Sequence, residues 1–530
     1  MLVRLHAAAL RGVDAVPVTV EVRVDRGIHF LMVGLPDSAV RESQQRIKSA
    51  IEHLGFRWPG KGITINLAPA GLRKEGAAYD LPLALGILAA SEQIDPTPLD
   101  RLLCMGELAL DGQIRSIRGA LALAQIGADD RFDGIVLPAD SAAEAAFLPS
   151  VSVHPAAHLA DVLDHLSGAV PIPRLQRDLA ALVEEHTQRS LLPLAAIRGQ
   201  DAAIEAMAVA AAGGHHVCMV GPPGAGKTML ARAMVGLLPP LEVEEAITVN
   251  QIHSVANRTD RAGQVVLERP FRSPHHTVSD VALVGGGSDP RPGEISLAHG
   301  GVLFLDELPE MPRHVLEVLR QPIESRQMTV SRAKATVVFP ADFQLVAAMN
   351  PCPCGRYSPD PERRRHCTCS QHARHRYLDR ISGPLLDRID IHLRMTPVPA
   401  AELLPAPGAA GRYAEEQRFE RASQWQSKVF AARTVQRDRN PRGVANARLA
   451  GEDLHRMAPL CAEGRTLLTR TTEVLQLSAR AHGRLLRLAR TLADLDQSDQ
   501  VAVHHLAQAV ALRREGRHSD SASSASLFVG

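Results

Sequence analysis

Aromatic side chains are scarce in this sequence: Phe, Tyr and Trp together make up 3% of its 530 residues. An interior short of rings must be filled by Leu, Ile, Val and Ala, and an apolar fraction of 45% permits this. Excess charge is also missing. Lys+Arg 59 against Asp+Glu 58 leaves a formal net charge of +1, so any surface for nucleic acid must be a local one. Long apolar runs are absent, none approaching the roughly 20 residues that span a bilayer. The opening MLVRLHAAALRGVDAVPV has an early Arg but no sustained apolar stretch, so neither an export signal nor a membrane partner is expected, and the chain is expected in the cytoplasm. Cysteine is rare, seven in all, too few for a disulfide framework at this length. Four of the seven lie between Cys352 and Cys369, which points to metal more than to oxidation.

At this length two to four domains are expected. In residues 1–166, VPVTVEVRV, ITINLAP and GIVLP have strand character, while DSAVRESQQRIKSAIEHLG and AYDLPLALGILAAS have helix character, which predicts a mixed α/β or α+β domain. Residues 167–192 have the composition of a linker. In 193–400, QDAAIEAMAVAAAGG predicts a helix, and HHVCMV, GGVLFLDE and FQLVAAMN predict short buried strands, each with polar residues at its end. That is the pattern of an open, mostly parallel sheet with chemistry at the C-terminal ends of its strands. A helical connector is expected over 401–440 and a helical lid over 441–515, with a disordered tail at 516–530.

The run Gly221-Pro222-Pro223-Gly224-Ala225-Gly226-Lys227-Thr228 satisfies the P-loop pattern between an apolar strand and the helix MLARAMVGLL. Its glycines let backbone N–H groups turn toward phosphate oxygens at a helix N-terminus. ATP is the expected nucleotide, with Lys227 neutralising its β- and γ-phosphates and Thr228 ligating Mg2+. VLFL followed by Asp306 and Glu307 supplies a second Mg2+ residue, Asp306, and a base for the attacking water, Glu307. Asn350, at the end of FQLVAAMN, is a candidate to hold that water and the γ-phosphate; a turn-forming Asn before Pro351 is the weaker alternative. Arg388 in GPLLDRIDI is a candidate arginine finger for a neighbouring subunit's nucleotide. Arg480 in LSARAHGRLLRLAR is a candidate to close over the phosphates from the lid, with Arg484 and Arg487 as rivals.

Several long stretches carry a specific resemblance: FRSPHHTVSDVALVGGGSDPRPGEISLAHGGVLFLDELPE, AAMNPCPCG and ISGPLLDRIDIH are similar to the magnesium-chelatase-like AAA+ ATPases of the ComM/YifB family. The likeness covers nearly the whole chain, and the family's motor residues fall on Lys227, Thr228, Asp306, Glu307, Asn350 and Arg388. It implies an AAA+ α/β core with a parallel sheet and a C-terminal α-helical lid. It also implies a homo-hexameric ATP-dependent helicase that drives branch migration on single-stranded or branched DNA during natural transformation, alongside recombinase machinery. The alternative within the likeness is a chelatase-type ATPase remodelling a protein or tetrapyrrole-enzyme partner. The N-terminal domain resembles the proteolytic domain of Lon, which also caps the recombination protein RadA. Ala78 and Leu121 stand where that domain has its catalytic Ser and Lys, so proteolysis is not expected.

Cys352-x-Cys354, twelve residues, then Cys367-x-Cys369 offers four thiols for a structural Zn2+. His366, His372 and His375 are alternative or outer partners. The basic RYSPDPERRRH and QHARHRY around them are either a phosphate-binding patch or a solvated loop. RQMTVSRAKATVVF predicts a β-hairpin, which related ring helicases point into the pore; Arg332 and Lys334 are then candidates to grip DNA. Residues 257–299 are a candidate second pore insert, in which a structural or pore-loop role for His275 and His276 is preferred to a metal one.

Overall fold

Alternating apolar residues make the N-terminal stretch a sheet before anything else. Val3, Leu5 and Ala7 of β1 (Leu2–Arg11) and Val18, Val20, Val22 and Val24 of β2 (Asp14–Asp25), every second residue in each run, turn into one core. The computed structural model describes the chain apart from residues 179–180, 183–190, 257–264, 288–289, 333–334, 359, 400–407, 475 and 515–530. The expected tail, and parts of the expected linker, connector and insert, therefore lie outside the described residues.

β1 and β2 join β3 (Phe30–Val33), β4 (Gly62–Ala68), β5 (Leu102–Cys104), β6 (Gly134–Pro138) and β7 (Val153–Ala156) in a mixed seven-stranded sheet of order β3-β4-β2-β1-β5-β6-β7. Helices α1 (Ser38–His53) and α2 (Asp80–Ala90) belong to this unit. All residues of α2 are buried, and its one charged group, Asp80, meets Arg46 at 2.7 and 3.0 Å and the Leu108 N–H at 3.2 Å. Burial pushes the Asp80 carboxyl up to about 6 even against the Arg46 charge. Ala78 precedes α2 and Leu121 is in the core, 1% exposed. The linker expected from residue 167 begins later than its composition suggests, because Ile172 is buried and the Leu175 N–H bonds the Val153 carbonyl at 2.8 Å.

The second sheet is wholly parallel, with β8 (Val217–Val220), β9 (Phe271–Arg272), β10 (Val302–Leu305), β13 (Gln344–Met349) and β14 (Ile391–Arg394) in the order β9-β10-β13-β8-β14. Between β10 and β13 in the chain, β11 (Gln327–Arg332) and β12 (Ala335–Pro340) form the expected antiparallel hairpin. Its tip residue Lys334 lies outside the described residues, and Arg332 pairs with Ala335 through the backbone. Side chains of β8 alternate between two cores: Val217 and Met219 face one, Cys218 and Val220 the other. The first is closed by α3 (Asp201–Gly213) and by C-terminal helices, among them α4 (Gly408–Arg439), α5 (Ala479–Leu495) and α6 (Val503–Arg514). No strand follows β14 among the described residues, and no described helix is long and apolar enough to cross a membrane.

The seven-stranded unit rests on the second one. Val13, in the β1–β2 turn, enters the core that holds Met328 and Phe339 of the hairpin. The buried Glu144 carboxylate accepts a 2.6 Å bond from the Ser254 hydroxyl.

Candidate nucleotide site

The loop after β8 turns through Gly224 (φ 78°) and Gly226 (φ 83°), a backbone region that glycine reaches without steric cost. A Cβ added at either would meet nothing within 4 Å, so both glycines face open space at the start of the helix Lys227–Ala233. Gly226 is the residue just before that helix, leaving first-turn N–H groups directed at the opening. The loop's floor is fixed from two sides: the Gly221 N–H bonds Met349 O at 3.2 Å, and Gln200 Nε2 bonds the Ala225 and Thr396 carbonyls at 3.3 and 2.8 Å.

Lys227 is buried and folds back into the loop. Its Nζ donates to the carbonyls of Gly221 (2.8 Å) and Pro222 (3.0 Å) and to Asn350 Oδ1 (3.2 Å). Burial lowers the pKa of its ammonium, although Asp306 and Glu307 oppose the shift. Thr228 Oγ1 donates to Asp306 Oδ2 at 3.2 Å, and the Glu307 N–H donates to Asp306 Oδ1 at 2.9 Å. Five residues read from separate stretches of sequence thus meet at the C-terminal ends of β8, β10 and β13. Two oxygens about 3 Å apart suit neighbouring corners of an octahedral Mg2+ shell, so Thr228 and Asp306 fit that ion.

One partner went unread in the sequence. His276 Nδ1 lies 3.0 Å from Glu307 Oε2, and the His275 ring is 4.1 Å away from that of His276. Glu307 itself has φ 50° and ψ 44°, left-handed backbone that costs a non-glycine residue roughly 1 kcal/mol or more. An HH pair gives no signal of this kind, because the contact is made across the fold.

The two arginines lie elsewhere. Arg388 Nη2 is 2.7 Å and Arg480 Nη2 3.9 Å from the same oxygen, Glu324 Oε1. They line a cleft of about 1370 Å3 with His216, Gly301 and Gln344, residues at the starts of the parallel strands. The P-loop is at the other ends of those strands, so Arg480 does not close over its own chain's phosphate loop. The reason is the seating of α5: Arg484 is 3.6 Å from Asp390, and Thr491 Oγ1 is 2.9 Å from His215 Nε2, which holds this helix against the N-terminal edge of the sheet. His215 also meets Asp390 at 3.1 Å.

The four cysteines come together. Cys352 Sγ is 3.4 Å from Cys354 and 3.8 Å from Cys367, Cys354 and Cys367 are 3.6 Å apart, and all four sulfurs, Cys369 included, lie within 4.8 Å of one another. Zn–S bonds of roughly 2.3 Å in a tetrahedron put sulfurs about 3.8 Å apart, so the cluster fits that ion. Burial raises the Cys354 thiol, but backbone N–H groups of Arg356 and Thr368, together with hydrogen bonds from the Cys352 and Cys369 side chains, outweigh it and hold the group down at about 6.

Comparison with known proteins extends these observations. Residues 193–403 match the family model described as magnesium chelatase, subunit ChlI. Residues 20–141 match subunit ChlI of Mg-chelatase, and residues 420–513 its C-terminal part. The chain is 42% identical over 511 residues to the uncharacterized protein YifB of Salmonella typhimurium, covering 96% of both chains. It is 40% identical over 510 residues to the competence protein ComM of Haemophilus influenzae, covering 96% of this chain and 97% of that one. The magnesium-chelatase subunit ChlI of Euglena gracilis is 29% identical over 159 residues, 26% of this chain and 45% of its own.

Proposed function

The chain belongs to the ComM/YifB family of magnesium-chelatase-like AAA+ proteins, and on that premise we propose that it is an ATP-hydrolysing DNA motor that moves branched recombination intermediates. The observation that carries the ATPase half is the meeting of Lys227, Thr228, Asp306, Glu307 and Asn350 around one open glycine loop. Lys227 exchanges its carbonyl partners for phosphate oxygens, Asn350 orients the terminal phosphate, and Glu307 takes the proton of the attacking water. Thr228 and Asp306 would hold Mg2+, which would offset the charge on the phosphates.

The DNA half rests on kinship and on placement. The ComM relative carries the word competence in its name, which supports a DNA-related role. Arg388 and Arg480 face a cleft away from their own P-loop, so they act on a nucleotide held by the next copy in a homo-hexameric ring. The hairpin with Arg332 and Lys334 grips the DNA backbone. The Lon-like N-terminal unit, with Ala78 and Leu121 where a protease has Ser and Lys, serves as a non-proteolytic platform. Cys352, Cys354, Cys367 and Cys369 hold a structural zinc.

The second reading is a chelatase-type remodeller of a protein partner, favoured by the three ChlI family matches. Unwinding of a labelled forked or three-stranded DNA separates the two. The motor reading expects strand displacement with ATP and none with a non-hydrolysable analogue; ATP turnover without displacement on any branched substrate would favour the remodeller.

A further inference from the structure

The cysteine cluster touches the phosphate loop. Gly355 directly follows the Cys352-Pro353-Cys354 turn and closes it through a 2.9 Å bond from its N–H to the Cys352 carbonyl. A Cβ on Gly355 would stand 2.6 Å from Cδ and 2.9 Å from Cγ of Pro223, and 3.8 Å from Cγ of Asn350. Gly355 also has φ +76°, so both its backbone and its neighbours select glycine. The turn therefore lies flat on the P-loop, with no layer between.

The same stretch encloses Asn350 from behind. Cys367 and Cys369 lead into the helix Gln371–Leu378, whose buried Tyr377 hydroxyl returns to the Asn350 backbone. Asn350 leads into the turn from its other side, and its Oδ1 accepts from Lys227. The chain thus runs from Asn350 through two thiols and back through two more to Asn350, and the four sulfurs are where that circuit closes. Other contacts within the loop are small ones, among them the Arg364 Nε bond to the Ser358 carbonyl at 3.1 Å, the Cys367 N–H bond to the Arg364 carbonyl at 2.9 Å, and ring contacts of Tyr357 with Arg364 and Arg374 at 5.4 and 4.0 Å. Such ring contacts are worth about 0.5–1 kcal/mol when exposed, far less than a tetrathiolate zinc site contributes.

We propose that the tetrathiolate cluster is a clamp for the nucleotide pocket: zinc on Cys352, Cys354, Cys367 and Cys369 keeps Gly355 seated on Pro223 and Asn350 on Lys227, so that nucleotide affinity depends on the ion. This rests on the zinc and ATP readings above and adds the coupling between them. Without the ion the turn is released, and the P-loop must be ordered at the expense of binding.

The test uses the full chain in Mg2+ buffer, with metal content measured by elemental analysis and affinity by a fluorescent ATP analogue. Zinc is stripped with a transition-metal chelator and then restored. The expected result is a dissociation constant raised about tenfold or more on stripping and recovered with zinc, since mispositioning by roughly 1 Å costs effects of this size. Gly355→Ala should retain one zinc and bind the analogue equally weakly, with far-UV circular dichroism unchanged. Gly60→Ala, where a Cβ meets nothing, should behave as the parent. Equal affinity in stripped and loaded protein, or normal affinity in Gly355→Ala, overturns the clamp. A chain that neither contains nor takes up zinc overturns the zinc reading and the clamp with it. A zinc-loaded chain that does not bind the analogue overturns the ATP reading instead.

Discussion

The imidazole of His276 holds the carboxylate of Glu307 at 3.0 Å, across a gap of thirty residues of chain. Glu307 is the one non-glycine residue of the described site in left-handed backbone, and the His276 ring is the support that its carboxylate meets. His276→Ala removes that support without touching the phosphate loop. The expected outcome is a fall in kcat of about tenfold with unchanged affinity for nucleotide, read by steady-state ATPase and analogue binding.

Lys227→Ala and Glu307→Gln separate binding from chemistry. Lys227→Ala should lose nucleotide affinity, because no other cation reaches the loop interior among the described contacts. Glu307→Gln should bind ATP and fail to turn it over, with kcat down about a hundredfold or more. Filter retention of labelled ATP on the Gln variant is the check.

Arg388→Ala should lower ATPase activity about a thousandfold if its guanidinium completes a neighbour's site. Mixing it with Lys227→Ala chains should then restore part of the activity, each variant supplying what the other lacks. A fully active Arg388→Ala chain would remove the arginine finger.

His216 gives a pH dependence with a definite sign. Burial pushes this imidazole down to about 4, with Arg484 and His215 adding to the effect and Asp390 opposing it, and the neutral ring accepts from the Leu345 N–H at 2.9 Å. A base whose folded pKa is depressed contributes fully above its unfolded value near 6.5 and loses that contribution as pH falls toward 4. Urea unfolding should show of the order of 2–3 kcal/mol lost over this window. His216→Asn, which keeps an acceptor and does not titrate, should flatten the slope.

Much of the fold was legible because its signals are local. Strands β8, β10 and β13 are short apolar runs buried on both faces, and each ends in the polar residues that the sequence marks as functional. The P-loop needs only its glycines, Lys227, Thr228 and a following helix. The hairpin and the four-thiol cluster were read from spacing. What was not legible depends on contacts between distant stretches. Arg480 is a candidate from sequence to close over the phosphates from the lid, yet the His215–Thr491 and Arg484–Asp390 contacts seat α5 at the N-terminal ends of the strands, away from its own P-loop. Glu324, which both arginines approach, and His276 carry no motif, since ordinary residues of their type occur throughout the chain. Gly355 carries no signal of its own in the sequence; only its approach to Pro223 gives it a role.

ATPase rate with and without single-stranded DNA tests the central claim most directly, because a motor on DNA must couple the loop holding Lys227 to the strand it moves. The account predicts turnover that rises several-fold on adding DNA and vanishes in Glu307→Gln. An identical rate in the presence and absence of single-stranded and branched DNA would contradict it.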